Sequence, residues 1–88
     1  MDQEQFLQQL RAEGYEQVTT VTRAPNGFLD VHTHPFEARA LILSGEISIR
    51  CDGQETVYRP GDIFHLGRAA PHSESYGPAG VSYLVGRK

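Results

Sequence analysis

The sequence has a single cysteine, Cys51, among 88 residues, so no disulfide within the chain can hold it together. It also lacks any cluster of Lys or Arg: 8 basic residues stand against 11 acidic ones, for a formal net charge of -3. That speaks against a nucleic-acid partner, because phosphate backbones are gripped by concentrated positive charge. Long hydrophobic runs are missing too. The longest aliphatic stretch, Ala40-Leu41-Ile42-Leu43, is far short of the roughly 20 apolar residues of a membrane-spanning helix. Met1-Asp2-Gln3-Glu4-Gln5 has no basic start leading into an apolar stretch, as a secretory leader would. Together with the unpaired cysteine, this predicts a cytoplasmic protein with no membrane contact. No linker, repeat or low-complexity tract divides the chain, and its length suits one domain over 1–88. So short a fold gains from disulfide, metal or subunit association. The first is excluded, and the 4 histidines leave the second open.

What is present is one helix followed by sheet. Asp2 and Gln5 have capping-box spacing, Phe6, Leu7 and Leu10 recur at helical spacing, and Gly14 suits a left-handed stop, which predicts a helix over about 3–13. Its apolar stripe is narrow, so it should dock on the outside of something else. From Tyr15 the period shifts towards two and β-branched residues gather. Turns are expected at Ala24-Pro25-Asn26-Gly27, Ser44-Gly45, Pro60-Gly61-Asp62 and Gly77-Pro78-Ala79-Gly80. Asp52-Gly53 closes a two-residue hairpin that sets Arg50 opposite Glu55, Ile49 opposite Thr56 and Ile47 opposite Tyr58. The remainder, about 15–86, reads as about eight short antiparallel strands in an all-β barrel or sandwich.

His32 and His34 flank Thr33, and residues two apart in a strand share a face. They are either two half-exposed strand histidines or two ligands for one ion. His72 opens a later strand, and a closed barrel can bring it opposite the pair. Three neutral imidazoles would then cap one side of a divalent ion and leave positions open.

Residues 27–45, with Gly27, the His32/His34 pair, Glu37 and the closing Gly45, resemble the first motif of the cupin superfamily. Residues 60–72, with Pro60-Gly61-Asp62 and His72, resemble the second. The resemblance implies a cupin-type β-barrel or jelly roll. It also implies one divalent metal ion (Fe, Zn, Ni or Mn), with His32, His34 and His72 as ligands. The spacing departs from the family at one point: its usual glutamate ligand falls on Ala38, and Glu37 comes one residue early. A one-residue offset turns a side chain to the other face, so either a bulge brings Glu37 inward or the site has three histidines alone. The three-histidine site is the expectation. The second motif's loop carries Gly67 and Ala69, without the usual proline and glycine, and its final asparagine position is Tyr76.

Other residues carry two readings each. Glu74 shares the face of His72 and is a catalytic candidate, as general base or fourth ligand, or else a solvated glutamate. His65 alternates with apolar Phe64 and Leu66 and should point outward. Arg39 either grips a substrate carboxylate or pairs with a surface acid. Tyr58, Tyr76 and Tyr83 line a pocket or fill the core, and Cys51 reads as packing.

The resemblance implies a divalent-metal-dependent enzyme of dioxygenase, isomerase or lyase type, acting on a small polar or anionic molecule. It equally implies a non-catalytic cupin that binds a small ligand as a sensor or accessory module. A homodimer is also expected. If Ala38 faces inward, Leu41 and Leu43 face out, and the small helical stripe leaves them for a second subunit to cover. A bulge that reversed the register would instead bury both leucines in a monomer.

Overall fold

The structure, a computed structural model, describes residues 1–88. Helix α1 spans Gln3–Ala12 and starts where its cap is: the Asp2 carboxylate accepts the Gln5 N–H at 2.8 Å, and the Gln5 side chain accepts the Asp2 N–H in return. Two orphan donors of the first turn are thus satisfied. Gly14, at φ +86, turns the chain away. Six strands follow: β1 (Gln17–Arg23), β2 (Phe28–His32), β3 (Ala38–Cys51), β4 (Gln54–Tyr58), β5 (Ile63–Leu66) and β6 (His72–Arg87).

The long antiparallel pair β3 and β6 is the spine, running from Ala38 opposite Arg87 to Cys51 opposite His72. At one end it is flanked by β1 and β5, at the other by β2 and β4. The turns expected at Ser44-Gly45 and Gly77–Gly80 are instead bends inside continuous strands. Register slips on both sides of Ser44-Gly45, and Gly45 and Gly80 both sit at φ +72. A Cβ on Gly45 would overlap the Gly80 carbonyl, so the strands cross there at backbone contact. A left-handed glycine signals a change of direction, but whether that is a turn or a bend is decided by the neighbouring strand. Six strands thus supply two four-segment layers, a jelly roll.

The β3–β4 hairpin has the expected register, with Arg50 opposite Glu55, Ile49 opposite Thr56 and Ile47 opposite Tyr58. Both of its turn residues, Asp52 (φ +54) and Gly53 (φ +76), are left-handed, the backbone twist that two-residue hairpins require. Between the layers lies the main core, where Ala38, Ala40, Ile42, Ile47, Ile49, Phe64, Leu66, Val81, Tyr83 and Val85 pack together.

A second core lies outside the barrel. Phe6 and Leu10 of α1, with Tyr15, cover Leu41 and Leu84, and Leu43 packs against the same cluster. Leu41 does face outward, as its register implies, but it is only 2% exposed. Tyr15, just past the helix, widens the stripe enough to close over it. Leu41 therefore gives no reason for a second subunit.

Candidate metal centre

Three histidines and one glutamate meet inside the end of the barrel bounded by β2 and the first residues of β6. The ring centroids of His32 and His72 lie 4.3 Å apart, and those of His34 and His72 5.1 Å. Glu74, one strand period after His72, is buried beside them, and His72 is only 1% exposed. His32 Nε2 lies 3.4 Å from Glu74 Oε2, and His72 Nε2 lies 3.2 Å from the same atom.

The opposite ring nitrogens are all tied to backbone carbonyls. His32 Nδ1 faces Asp30 O at 2.7 Å, His34 Nδ1 faces Phe36 O at 3.2 Å, and His72 Nδ1 faces Ala70 O at 2.9 Å. A carbonyl only accepts, so each Nδ1 carries a proton, and a ring with no second proton presents a lone pair at Nε2. Two imidazole lone pairs then face a carboxylate oxygen in a buried space. Acceptors so arranged require a cation between them, either a proton or a metal ion. The two nitrogen–oxygen separations suit a hydrogen bond and a shared ion alike: ligand atoms about 2.1 Å from an ion, at tetrahedral or octahedral angles, lie about 3.0–3.4 Å apart. A carbonyl held on the non-ligating nitrogen is also how metal-binding imidazoles are oriented.

The group that could hold an ion is His32, His72 and Glu74, whose ligand atoms lie within 4.8 Å of one another. His34 stands beside it, outside that group. The extended segment expected over 28–34 stops at His32, the β2–β6 register slips between Leu29 and His32, and the His34 ring lies 6.2 Å from that of His32, centroid to centroid. His34 stacks on Phe36, rings 4.2 Å apart and 3° from parallel, and burial lowers its pKa, favouring the neutral ring. The second-motif loop is pinned to it: Ala69, left-handed at φ +60, donates its N–H to His34 O at 3.0 Å.

Tyr76 completes the arrangement by donating its hydroxyl to Glu74 Oε1 at 3.0 Å. Burial and the Glu74 charge raise its pKa, so it stays a donor. Gly27 is needed here, since a Cβ would press on the Tyr76 ring. Nothing in the sequence signals the Tyr76–Glu74 contact beyond their spacing of two. Cys51, half-buried and free, is the register partner of His72 on β3, a proximity invisible in sequence because it is made by strand pairing.

The remaining candidates lie elsewhere. Glu37 points outward, where its Oε2 accepts from His65 Nε2 and from the Tyr15 hydroxyl, each at 3.0 Å. Those two hydrogen bonds lower its pKa. Arg39 pairs with Glu13 at 3.2 Å on the outer face, which satisfies the surface reading and removes it from the cavity. Tyr58 and Tyr83 pack around Phe64, and of the two only Tyr83 also reaches the cavity beside the histidines. The cavity beside the histidines measures about 90 Å³ and is lined in part by Leu29, His32, His34, Phe36, Glu74 and Tyr83.

Residues 19–75 match the family model described as Cupin domain. That is well over half of the chain, which therefore belongs to the cupin family. Among solved structures it is similar to an RmlC-like cupin from Shewanella frigidimarina NCIMB 400, at 18% identity and TM-score 0.69, covering 81% of this chain and 64% of that one. It is similar to the polyketide cyclase RemF from Streptomyces resistomycificus, at 26% identity and TM-score 0.68, covering 80% and 52%. A third is the DMSP lyase DddQ from Ruegeria pomeroyi DSS-3, at 24% identity and TM-score 0.73, covering 81% and 36%. The chain thus spans less than two thirds of the length of each. No curated protein matches it. No helix is long and apolar enough to cross a membrane.

Proposed function

We propose that this cupin is a divalent-metal-dependent enzyme acting on a small polar or anionic molecule. The observation that carries the reading is the convergence of His32 Nε2 and His72 Nε2 on Glu74 Oε2, with the far nitrogen of each ring fixed by a carbonyl. In this reading His32, His72 and Glu74 hold the ion, His34 stands by as a further imidazole, and Glu74 is a ligand in place of the proton shuttle. A divalent ion so held supplies a Lewis acid for a carbonyl or enolate, with open positions for a small chelating ligand. Tyr76 fixes the rotamer of Glu74, and the apolar walls formed by Leu29, Phe36, Phe64 and Leu66 keep water scarce. Lyase and cyclase proteins among the similar structures accord with that chemistry, although one fold hosts many functions. The unpaired Cys51 suits a reducing, cytoplasmic setting.

One observation favours a second reading, a non-catalytic ligand-binding cupin. The cavity of about 90 Å³, against roughly 300–1,000 Å³ for ordinary ligand pockets, leaves space for one very small ligand and little for a co-reactant beside it. The two readings separate in a turnover assay. Small keto acids and hydroxy acids are incubated with metal-stripped, zinc-loaded and Fe(II)-loaded protein, and followed by NMR and oxygen uptake. The enzyme reading predicts turnover that needs metal and disappears in His32→Ala. Saturable binding without turnover by any loaded form contradicts it and leaves the binding module.

A further inference from the structure

The cavity next to the metal centre contains a charge that the metal ligands do not explain. Arg87 ends the inward-facing series Val81, Tyr83, Val85 and Arg87 on β6, opposite Ala38 of β3 and Gln17 of β1. Its guanidinium lies over the Phe36 ring, 4.7 Å from the centroid, and the other neighbour of that ring is the stacked His34. Arg87 thus stands one aromatic ring away from the histidine cluster. It takes part in none of the molecule's ion pairs, and its Nε is buried without a hydrogen-bond partner. Buried donors are nearly always paired; Arg39 Nε is also without a partner, but the Arg39 guanidinium is held by Glu13, which leaves Arg87 as the guanidinium on the cavity wall with both a buried unpaired nitrogen and no anionic partner.

The charge balance of the cavity points the same way. Its lining includes two guanidinium groups, Arg23 and Arg87, against one carboxylate, Glu74, and a divalent ion would add to the positive excess. Low-dielectric walls concentrate such a field. Arg87 and Phe36 also line an outer cleft of about 300 Å³ with Gly14, Glu16, Gln17 and Lys88, so they form the wall between the small inner space and the surface.

We propose that Arg87 is a binding residue for a carboxylate, and that the molecule reaching the histidine cluster carries one. A planar carboxylate meets the fork of a guanidinium with two parallel hydrogen bonds, and the Phe36 ring beneath the Arg87 guanidinium limits where that fork can move. The assignment of the second end of that molecule to the histidine cluster rests on the function proposed above; the anion site itself does not. It also locates, on β6, the carboxylate-gripping role that the sequence offers to Arg39.

The test is calorimetric titration of succinate into wild type, Arg87→Gln and Arg87→Lys, each metal-stripped and zinc-loaded, with neutral succinamide and inorganic phosphate as controls. Arg87→Gln should weaken succinate binding about tenfold in both forms, the loss of a charge-assisted pair, with zinc content unchanged. Arg87→Lys should fall between. Succinamide should not distinguish the proteins. Equal succinate affinity in wild type and Arg87→Gln, no succinate binding by wild type, or tighter Arg87-dependent binding of phosphate overturns the assignment. Should Arg87→Gln fail to fold, the Arg87 Nε–H resonance of wild type decides: it should shift on adding succinate, and a resonance that stays in place overturns the proposal. A chain that takes up no zinc contradicts the proposed function alone, because the metal-free titration still reads the Arg87 site.

Discussion

His72 Nε2 lies 3.2 Å from Glu74 Oε2, while the other nitrogen of the same ring is held by Ala70 O at 2.9 Å. The ring therefore cannot satisfy the carboxylate by changing tautomer without breaking a backbone hydrogen bond. Either a proton or a metal ion sits between them, and a second imidazole nitrogen, His32 Nε2, facing the same oxygen at 3.4 Å favours the ion.

If Glu74 is a ligand, the residue that orients it matters for affinity. Tyr76→Phe removes the hydroxyl donated to Glu74 Oε1 and keeps the ring packed. Zinc affinity measured by competition with a chelator should fall about 10–100-fold, as is usual when a group that hydrogen-bonds a metal ligand is removed. An unchanged affinity would mean that Tyr76 is packing only.

Glu37, by contrast, should matter to folding and not to metal. Glu37→Gln should leave zinc affinity unchanged, because the side chain faces His65 and Tyr15. Those hydrogen bonds lower its folded pKa below the ordinary 4.5. Their stabilisation is therefore fully present above that value and is lost as pH falls through the folded pKa. Urea midpoints measured against pH should drop less steeply on the acid side in Glu37→Gln than in wild type.

The same cluster has an alkaline counterpart. Burial and the bond to Glu37 push Tyr15 up from 10.0 to about 12, so between those values the folded state holds a proton that the unfolded chain has lost. Stability must fall as pH rises through this window. Tyr15→Phe should flatten that decline in chemical denaturation, at some cost in stability at neutral pH.

Leu41 distinguishes the intramolecular cover from a dimer interface. Covered by Phe6 and Leu10, it should lose about 2–5 kcal/mol on change to Ala, read from urea unfolding. Leu41→Glu would place a charge beneath the helix and should lower the melting temperature at every protein concentration. A variant that stays as stable as wild type but sediments at half its mass would place Leu41 in an interface.

How far the sequence could be read follows from the range of the interactions. The capping box of Asp2 and Gln5, the Asp52-Gly53 hairpin and its register are set by neighbours a few residues apart, and all three are found as expected. His32, His72 and Glu74 were recognisable as ligand types at strand spacing, yet their grouping depends on a register slip in β2 that no local pattern announces. Gly45 and Gly80 signal left-handed backbone, but only their mutual contact makes a bend in place of two turns. Tyr15 completes the cover over Leu41 from beyond the helix, where periodicity stops counting. Arg87 carries no local signal because its significance lies in what it faces, Phe36 and a cavity with excess positive charge, and Cys51 acquires its neighbour His72 only through strand pairing.

The central claim, that His32, His72 and Glu74 hold a divalent ion, is tested most directly by elemental analysis of protein purified without chelator, beside His32→Ala. His32 is partly exposed, so its loss should spare the fold, which circular dichroism can verify. About one divalent ion per folded wild-type chain, falling to near zero in folded His32→Ala, is the predicted result. A wild-type protein that holds no stoichiometric metal even after dialysis against zinc, or a His32→Ala variant that retains it in full, would contradict the account.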